Sequence, residues 1–200
     1  MIKCSEDALL LHCNETGFTK KNVDAICSAG QSSKISPTTE RKFIGEKGIG
    51  FKSVFAVAQT VWISSNAYSF RFDGDKELGT IAPIWDENFP EGHESTGTSM
   101  YLRLLNSEVI WEVSRELSES GPLILLFLRK LRRIKFDKPV LKGERQRLVL
   151  ERLKDRPLDG RTLDGSCFYS VVSDGVVEVT WLVVKHQVPL KLALDAVRGD

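Results

Sequence analysis

The sequence predicts a two-layer α/β sandwich of the α+β kind, with helices on a mixed, mostly antiparallel sheet and a C-terminal extension. Three observations lead there. Apolar spacing switches from a helical period over residues 51 to 58 to a strand period over residues 61 to 104. Three close glycines, Gly45, Gly48 and Gly50, open the helical stretch. Residues 167 to 184 alternate around Asp174-Gly175 as a hairpin does.

Ala8 to Cys13 is a short apolar run and reads as a buried strand, broken by Asn14 to Gly17. Thr19 then caps a helix, with Asn22 in its third position and Val23, Ile26 and Cys27 on its apolar face. Gly30 to Lys42 has loop composition, with Gly, Ser, Thr and Pro and almost no apolar anchor. After the glycine turn, Phe51, Val54, Phe55 and Ala58 share one face of a helix. Strands are expected at 61 to 65, 68 to 72, 80 to 85 and 98 to 104, and helices at 108 to 117 and 122 to 132. Lys142 to Arg156 is charged and helix-prone, Pro157 to Gly165 reads as a linker, and Leu190 to Val197 as the start of a helix.

Composition removes several function classes. Lys and Arg number 28 against 27 Asp and Glu, so bulk charge points to neither nucleic acid nor an anionic membrane. The longest apolar stretch, Pro122 to Leu128, is too short to span a bilayer, and Met1 to Asp7 carry no apolar signal core. An intracellular protein is expected, in cytoplasm or nucleus. Cys4, Cys13, Cys27 and Cys167 stand alone without C-x-x-C pairing, so they read as reduced thiols and no metal site is expected. His12, His93 and His186 lack spaced partners, and no Gly-x-Ser-x-Gly elbow occurs. The basic run Arg129 to Lys135 reads as a solvated face beside a buried Leu/Ile stripe, and the four dispersed tryptophans as core or edge-strand residues.

The glycine cluster carries the strongest chemical signal. Close glycines let backbone approach a ligand, and unpaired N–H groups at a helix start favour an anion, usually phosphate. Two familiar phosphate motifs do not fit. Phe51 separates Gly50 from Lys52 and Ser53, which breaks a P-loop, and Ser53 stands where a dinucleotide fingerprint needs its third glycine.

The stretch Ile44-Gly45-Glu46-Lys47-Gly48-Ile49-Gly50-Phe51-Lys52-Ser53-Val54-Phe55 resembles the second glycine box of GHKL (Bergerat-fold) ATPases, in the form found in ninety-kilodalton heat-shock chaperones. Asn14 to Val23 is similar to their first glycine box, Ser32-Ser33-Lys34 to their lid start, and Gly97 to Leu104 to their closing Gly-Thr strand. The wording of these segments most resembles the N-terminal module of NO VEIN-like and sacsin-like proteins. The resemblance covers roughly Ala8 to Phe136 and implies an ATP-binding domain over 1–136. Residues 137–200 would form a helical linker and β-hairpin extension.

By that resemblance the N–H groups around Gly45, Gly48, Ile49, Gly50 and Phe51 hold the phosphates of an adenine nucleotide. Lys47 and Lys34 add charge. Thr98 reaches the adenine side, Gly17 makes room for the base, and Gly30 to Lys42 forms a mobile lid. The family's adenine-reading aspartate falls on Cys13, a poor acceptor, which leaves Asn14, Glu15 or a water as substitute. The family's magnesium-binding, water-activating helix has no counterpart among the seven residues before the first strand, as in a truncated chain. Magnesium is expected only where that helix is supplied, and hydrolysis by this chain is expected to be poor. The implied function is an ATP-binding module of a larger chaperone-like or regulatory protein. The alternative is a catalytically dead interaction module of the same fold. The sequence names no protein partner.

Overall fold

The computed structural model describes residues 1–27, 50–90, 92–94, 96–139, 145–158 and 167–185. The loop expected at 30–42, most of the linker at 157–165 and the helix expected at 190–197 lie outside the described residues. The chain is a mixed α/β structure with a mostly antiparallel sheet and few helices. It divides into two compact units, residues 1–118 with 136–147, and residues 119–135 with 148–200.

In the first unit, β1 (Ile2–Cys4) pairs antiparallel with β2 (Ala8–Cys13). The loop after β2 leads to α1 (Lys20–Cys27). Its start is held by the Asn22 side chain, which supplies one half of a capping box. The Thr19 N–H and hydroxyl both donate to Asn22 Oδ1, at 2.9 and 2.7 Å, while the Asn22 N–H donates to the Thr19 carbonyl. β3 (Ala58–Ser65) and β4 (Tyr68–Asp73) form a hairpin around Asn66-Ala67. β5 (Ile84–Trp85) lies beyond β4, and β6 (Thr98–Leu104) sits between β2 and β3. α2 (Glu108–Ser120) follows.

The register explains the core. Leu9, Leu102, Val61 and Phe72 align across four strands, and Leu11, Met100, Ile63 and Phe70 form the next row on the same face. Phe51 and Phe55 pack on Phe72, with ring centroids at 5.4 and 6.3 Å. One step further along that face, the row becomes Cys13, Thr98, Ser65 and Tyr68. The polar site therefore borders the apolar core.

In the second unit, α3 (Ile124–Phe127) follows a 3-10 turn at Gly121–Leu123. β7 (Arg133–Pro139) begins here, and its residues Phe136 and Asp137 pair parallel with β1 inside the first unit. β8 (Arg145–Pro157) likewise begins in the first unit and continues in the second. β9 (Cys167–Ser173) pairs antiparallel with β8 and with β10 (Glu178–Val184), which ends the strand order. The hairpin turn is held by Asp174, whose carboxylate accepts the Val176 and Val177 N–H groups at 2.9 and 2.8 Å.

Four expectations are corrected. The helix read after Gly50 is a 3-10 helix over Lys52–Ala56, because Ala58 already belongs to β3 opposite Leu104. The strand at 80 to 85 shrinks to Ile84–Trp85. The Ile81 and Ala82 N–H groups turn back to the Leu78 carbonyl, and Pro83 has no N–H to give. The helix at 122 to 132 ends at Phe127. Past it, Ile134 and Phe136 are buried at strand period, so the end of the basic run, Arg133 to Lys135, belongs to β7. The described part of the helical linker expected at 142 to 156, from Arg145 on, is strand β8. Its Arg, Leu and Glu favour a helix locally, but Leu150 and Arg152 alternate inward and the strand pairs with β9, so tertiary pairing overrides propensity.

Candidate functional site

The candidate site lies where β2, β3 and β6 end together. Cys13 pairs with Thr98, and Thr98 with Ser65. Two glycines shape the loops above this row. Gly97 sits at φ +81°, and a Cβ on it would strike the Cys13 carbonyl. Gly17 also sits at φ +81°, and a Cβ there would collide with the Asn66 side chain.

Glu15 comes back from the loop onto Thr98. The Thr98 hydroxyl donates to Glu15 Oε1 at 2.6 Å, across 83 residues. Ser65 Oγ lies 2.6 Å from the Thr98 hydroxyl and accepts the Phe18 N–H at 2.7 Å. Direction follows from the ends. An N–H can only donate and a carboxylate only accept, so protons run from Phe18 N–H to Ser65, Thr98 and Glu15. Ser65 and Thr98 are 1% and 3% exposed, which strengthens each bond in the chain. Glu15 itself is exposed, and no cation among the described residues forms an ion pair with it. The result is a carboxylate oriented from below by buried hydroxyls, suited to accept from an amino or amide donor.

Of the residues singled out in the sequence, Glu15 and Thr98 are joined directly. Gly17 lies in the same loop, and the space it leaves is taken by the Asn66 amide. Asn14 and Cys13 are exposed beside them. Among the described residues, none lies within 4 Å of a Cβ added to Gly50. Phe51 packs its ring into the Phe55/Phe72 cluster. Lys34, Gly45, Lys47, Gly48 and Ile49 lie outside the described residues.

Sequence reasoning missed Ser65, Asn66 and Lys52. Asn66 Nδ2 donates to the carbonyls of Thr16 and Phe18 at 3.1 and 3.2 Å. Lys52 Nζ donates to the Ile26 carbonyl at 2.7 Å and to the Thr80 carbonyl, tying the end of α1 to the loop after β4. Burial pushes the Lys52 ammonium below the usual lysine range. A turn-like Ser-Ser-Asn run was the only available signal for Ser65 and Asn66.

His12 pairs with Ser99 on the opposite face of the sheet, Nδ1 to Oγ at 3.0 Å, with Glu94 at 3.7 Å from Nε2. Ser99 is 2% exposed within β6, so this trio has no open nucleophile. Burial raises the Cys4 thiol to about 11, which makes it inert as a thiolate. No described helix is long and apolar enough to cross a membrane.

No protein-family model matches the chain. In an alignment 139 positions long that covers 59% of the chain, it is 34% identical to Protein NO VEIN of Arabidopsis thaliana. It spans 5% of that relative. Over that shared stretch the chain is NO VEIN-like.

Proposed function

We propose that this chain carries the adenine-facing wall of a GHKL-type ATP-binding module, in which the Glu15 carboxylate takes the amino group of the base. The backbone from Gly48 to Phe51 holds the phosphates. The observation that carries this reading is the 2.6 Å bond from Thr98 to Glu15. It joins the two segments that resemble the family's first glycine box and its closing Gly-Thr strand. A carboxylate oriented by a buried hydroxyl replaces the acceptor that the Cys13 thiol cannot provide. The identity shared with Protein NO VEIN supports the NO VEIN-like form of the module. The proposal is one of binding rather than hydrolysis, as part of a larger chaperone-like or regulatory protein.

The test is calorimetry with ADP and ATP, with magnesium present, on the full chain. Wild type is expected to bind, and Glu15→Gln to weaken binding by about tenfold, the loss of one charge-assisted bond. No heat at millimolar nucleotide overturns the proposal. A second reading, an interaction module of the same fold, is favoured by β10. That outermost strand exposes Val179, Trp181, Leu182 and Val184, and the second reading replaces the first if wild type binds no nucleotide.

A further inference from the structure

We infer that Asn66, on the turn between β3 and β4, is a positioning residue for the nucleotide site: its side-chain amide clamps the loop on both sides of Gly17 and so sets where Glu15 meets Thr98. The inference rests on the adenine-site reading above.

One amide nitrogen carries two hydrogens, and both are used here. They go to the Thr16 carbonyl at 3.1 Å and the Phe18 carbonyl at 3.2 Å, from 50 and 48 positions away. The two carbonyls flank Gly17, whose missing side chain leaves the room that the amide fills. Ser65, the neighbour of Asn66, holds the Phe18 N–H at 2.7 Å. Two adjacent residues of one hairpin thus fix the loop peptides just after Glu15. Asn66 sits at φ 54°, a left-handed conformation that asparagine tolerates and that a tight hairpin turn needs.

A turn residue and a positioning residue predict different things. If Asn66 only makes the turn, glycine replaces it at no loss, because glycine accepts the same backbone angle. If it positions Glu15, glycine keeps the hairpin and loses the clamp.

The experiment is calorimetry with ADP and with inosine diphosphate on wild type, Asn66→Gly, Glu15→Gln and the double variant. Hypoxanthine has a carbonyl where adenine has its amino group, so it has no donor there for Glu15. Asn66→Gly is expected to weaken ADP about tenfold, the loss of two partly exposed bonds, and inosine diphosphate much less. The preference for adenine therefore narrows. In the Glu15→Gln background the further loss from Asn66→Gly should fall below about twofold, because both changes act through the same carboxylate. Asn66→Asp keeps size and turn preference but offers acceptors in place of donors, and should narrow the preference equally. Unchanged ADP affinity and preference in Asn66→Gly, or full additivity with Glu15→Gln, overturns the positioning role and leaves the adenine site standing. Absence of ADP binding by wild type overturns both.

Discussion

Two of the polar clusters among the described residues are built on opposite plans. In the second unit, Arg152 is 6% exposed and its guanidinium binds both oxygens of Asp155 at 3.0 Å. Arg132 adds a third bond to Asp155 at 3.0 Å, and the Ser170 hydroxyl a fourth at 2.8 Å. Two guanidinium groups meet one carboxylate, and that carboxylate is fully engaged. In the first unit, Ser65 and Thr98 are neutral hydroxyls, and their chain of bonds runs outward to the exposed Glu15. A closed ion-paired cluster holds a fold together. A directed chain that ends on an exposed acceptor contributes less to stability and has something to offer a ligand.

Breaking the closed cluster should have the largest effect. Asp155→Ala strands a buried guanidinium, at a cost of about 2–4 kcal/mol, reduced from the fully buried case because Asp155 is partly exposed. Urea unfolding would measure it, and ADP affinity should stay within about twofold of wild type. A loss below about 1 kcal/mol would remove the distinction between the clusters.

Thr98→Val comes next. It keeps shape but deletes the hydroxyl between Ser65 and Glu15, and should cost about 1–2 kcal/mol in unfolding free energy. Unlike Asp155→Ala, it should also weaken ADP by about tenfold in calorimetry. Equal ADP affinity in wild type and variant would sever the link between this hydroxyl chain and the proposed ligand.

Acid sharpens the contrast further. Burial alone would raise the Asp155 carboxyl, but hydrogen bonds from Arg152, Ser170 and Arg132, with the Arg152 charge, outweigh it and hold it below the usual aspartate value. A carboxylate depressed on folding contributes stability above its unfolded pKa and loses that contribution as pH falls through the folded value. The second unit should therefore weaken as pH falls below about 4. Trp181 lies in that unit, and the other three tryptophans lie in the first. Its fluorescence during acid titration should report the change, and Asp155→Asn should remove this component.

Gly50→Ala should be the smallest perturbation of the fold, within about 0.5 kcal/mol, since an added Cβ meets no described residue within 4 Å. Its melting temperature should match wild type while nucleotide affinity drops by roughly tenfold to a hundredfold, as expected if phosphate approaches that backbone. Equal affinity would move the phosphate site away from Gly50.

Legibility differed between elements for a physical reason. Residues 98 to 104, read as a strand from the alternation of Thr98, Met100, Leu102 and Leu104 with more polar neighbours, form a strand with those bounds. Residues 8 to 13 and the hairpin around Asp174-Gly175 were equally plain, because each carries its own apolar period or turn chemistry. β1 was missed because three residues show no period, and it exists through pairing with β2 and β7. β8 was misread because its residues favour a helix in isolation.

In the site, the sequence by itself marked Glu15, Gly17, Thr98 and the glycines from Gly45 to Gly50, through their resemblance to the GHKL glycine boxes and closing strand. That information is local, held in residue type and spacing. Only the tertiary structure decided that the Thr98 hydroxyl meets Glu15, that Ser65 lies beneath them, and that Asn66 fills the space left by Gly17. Those contacts depend on strand register. A shift of one residue between β3 and β6 would turn Ser65 to the other face, and no local property of Ser64-Ser65-Asn66 reveals which of the two serines points inward.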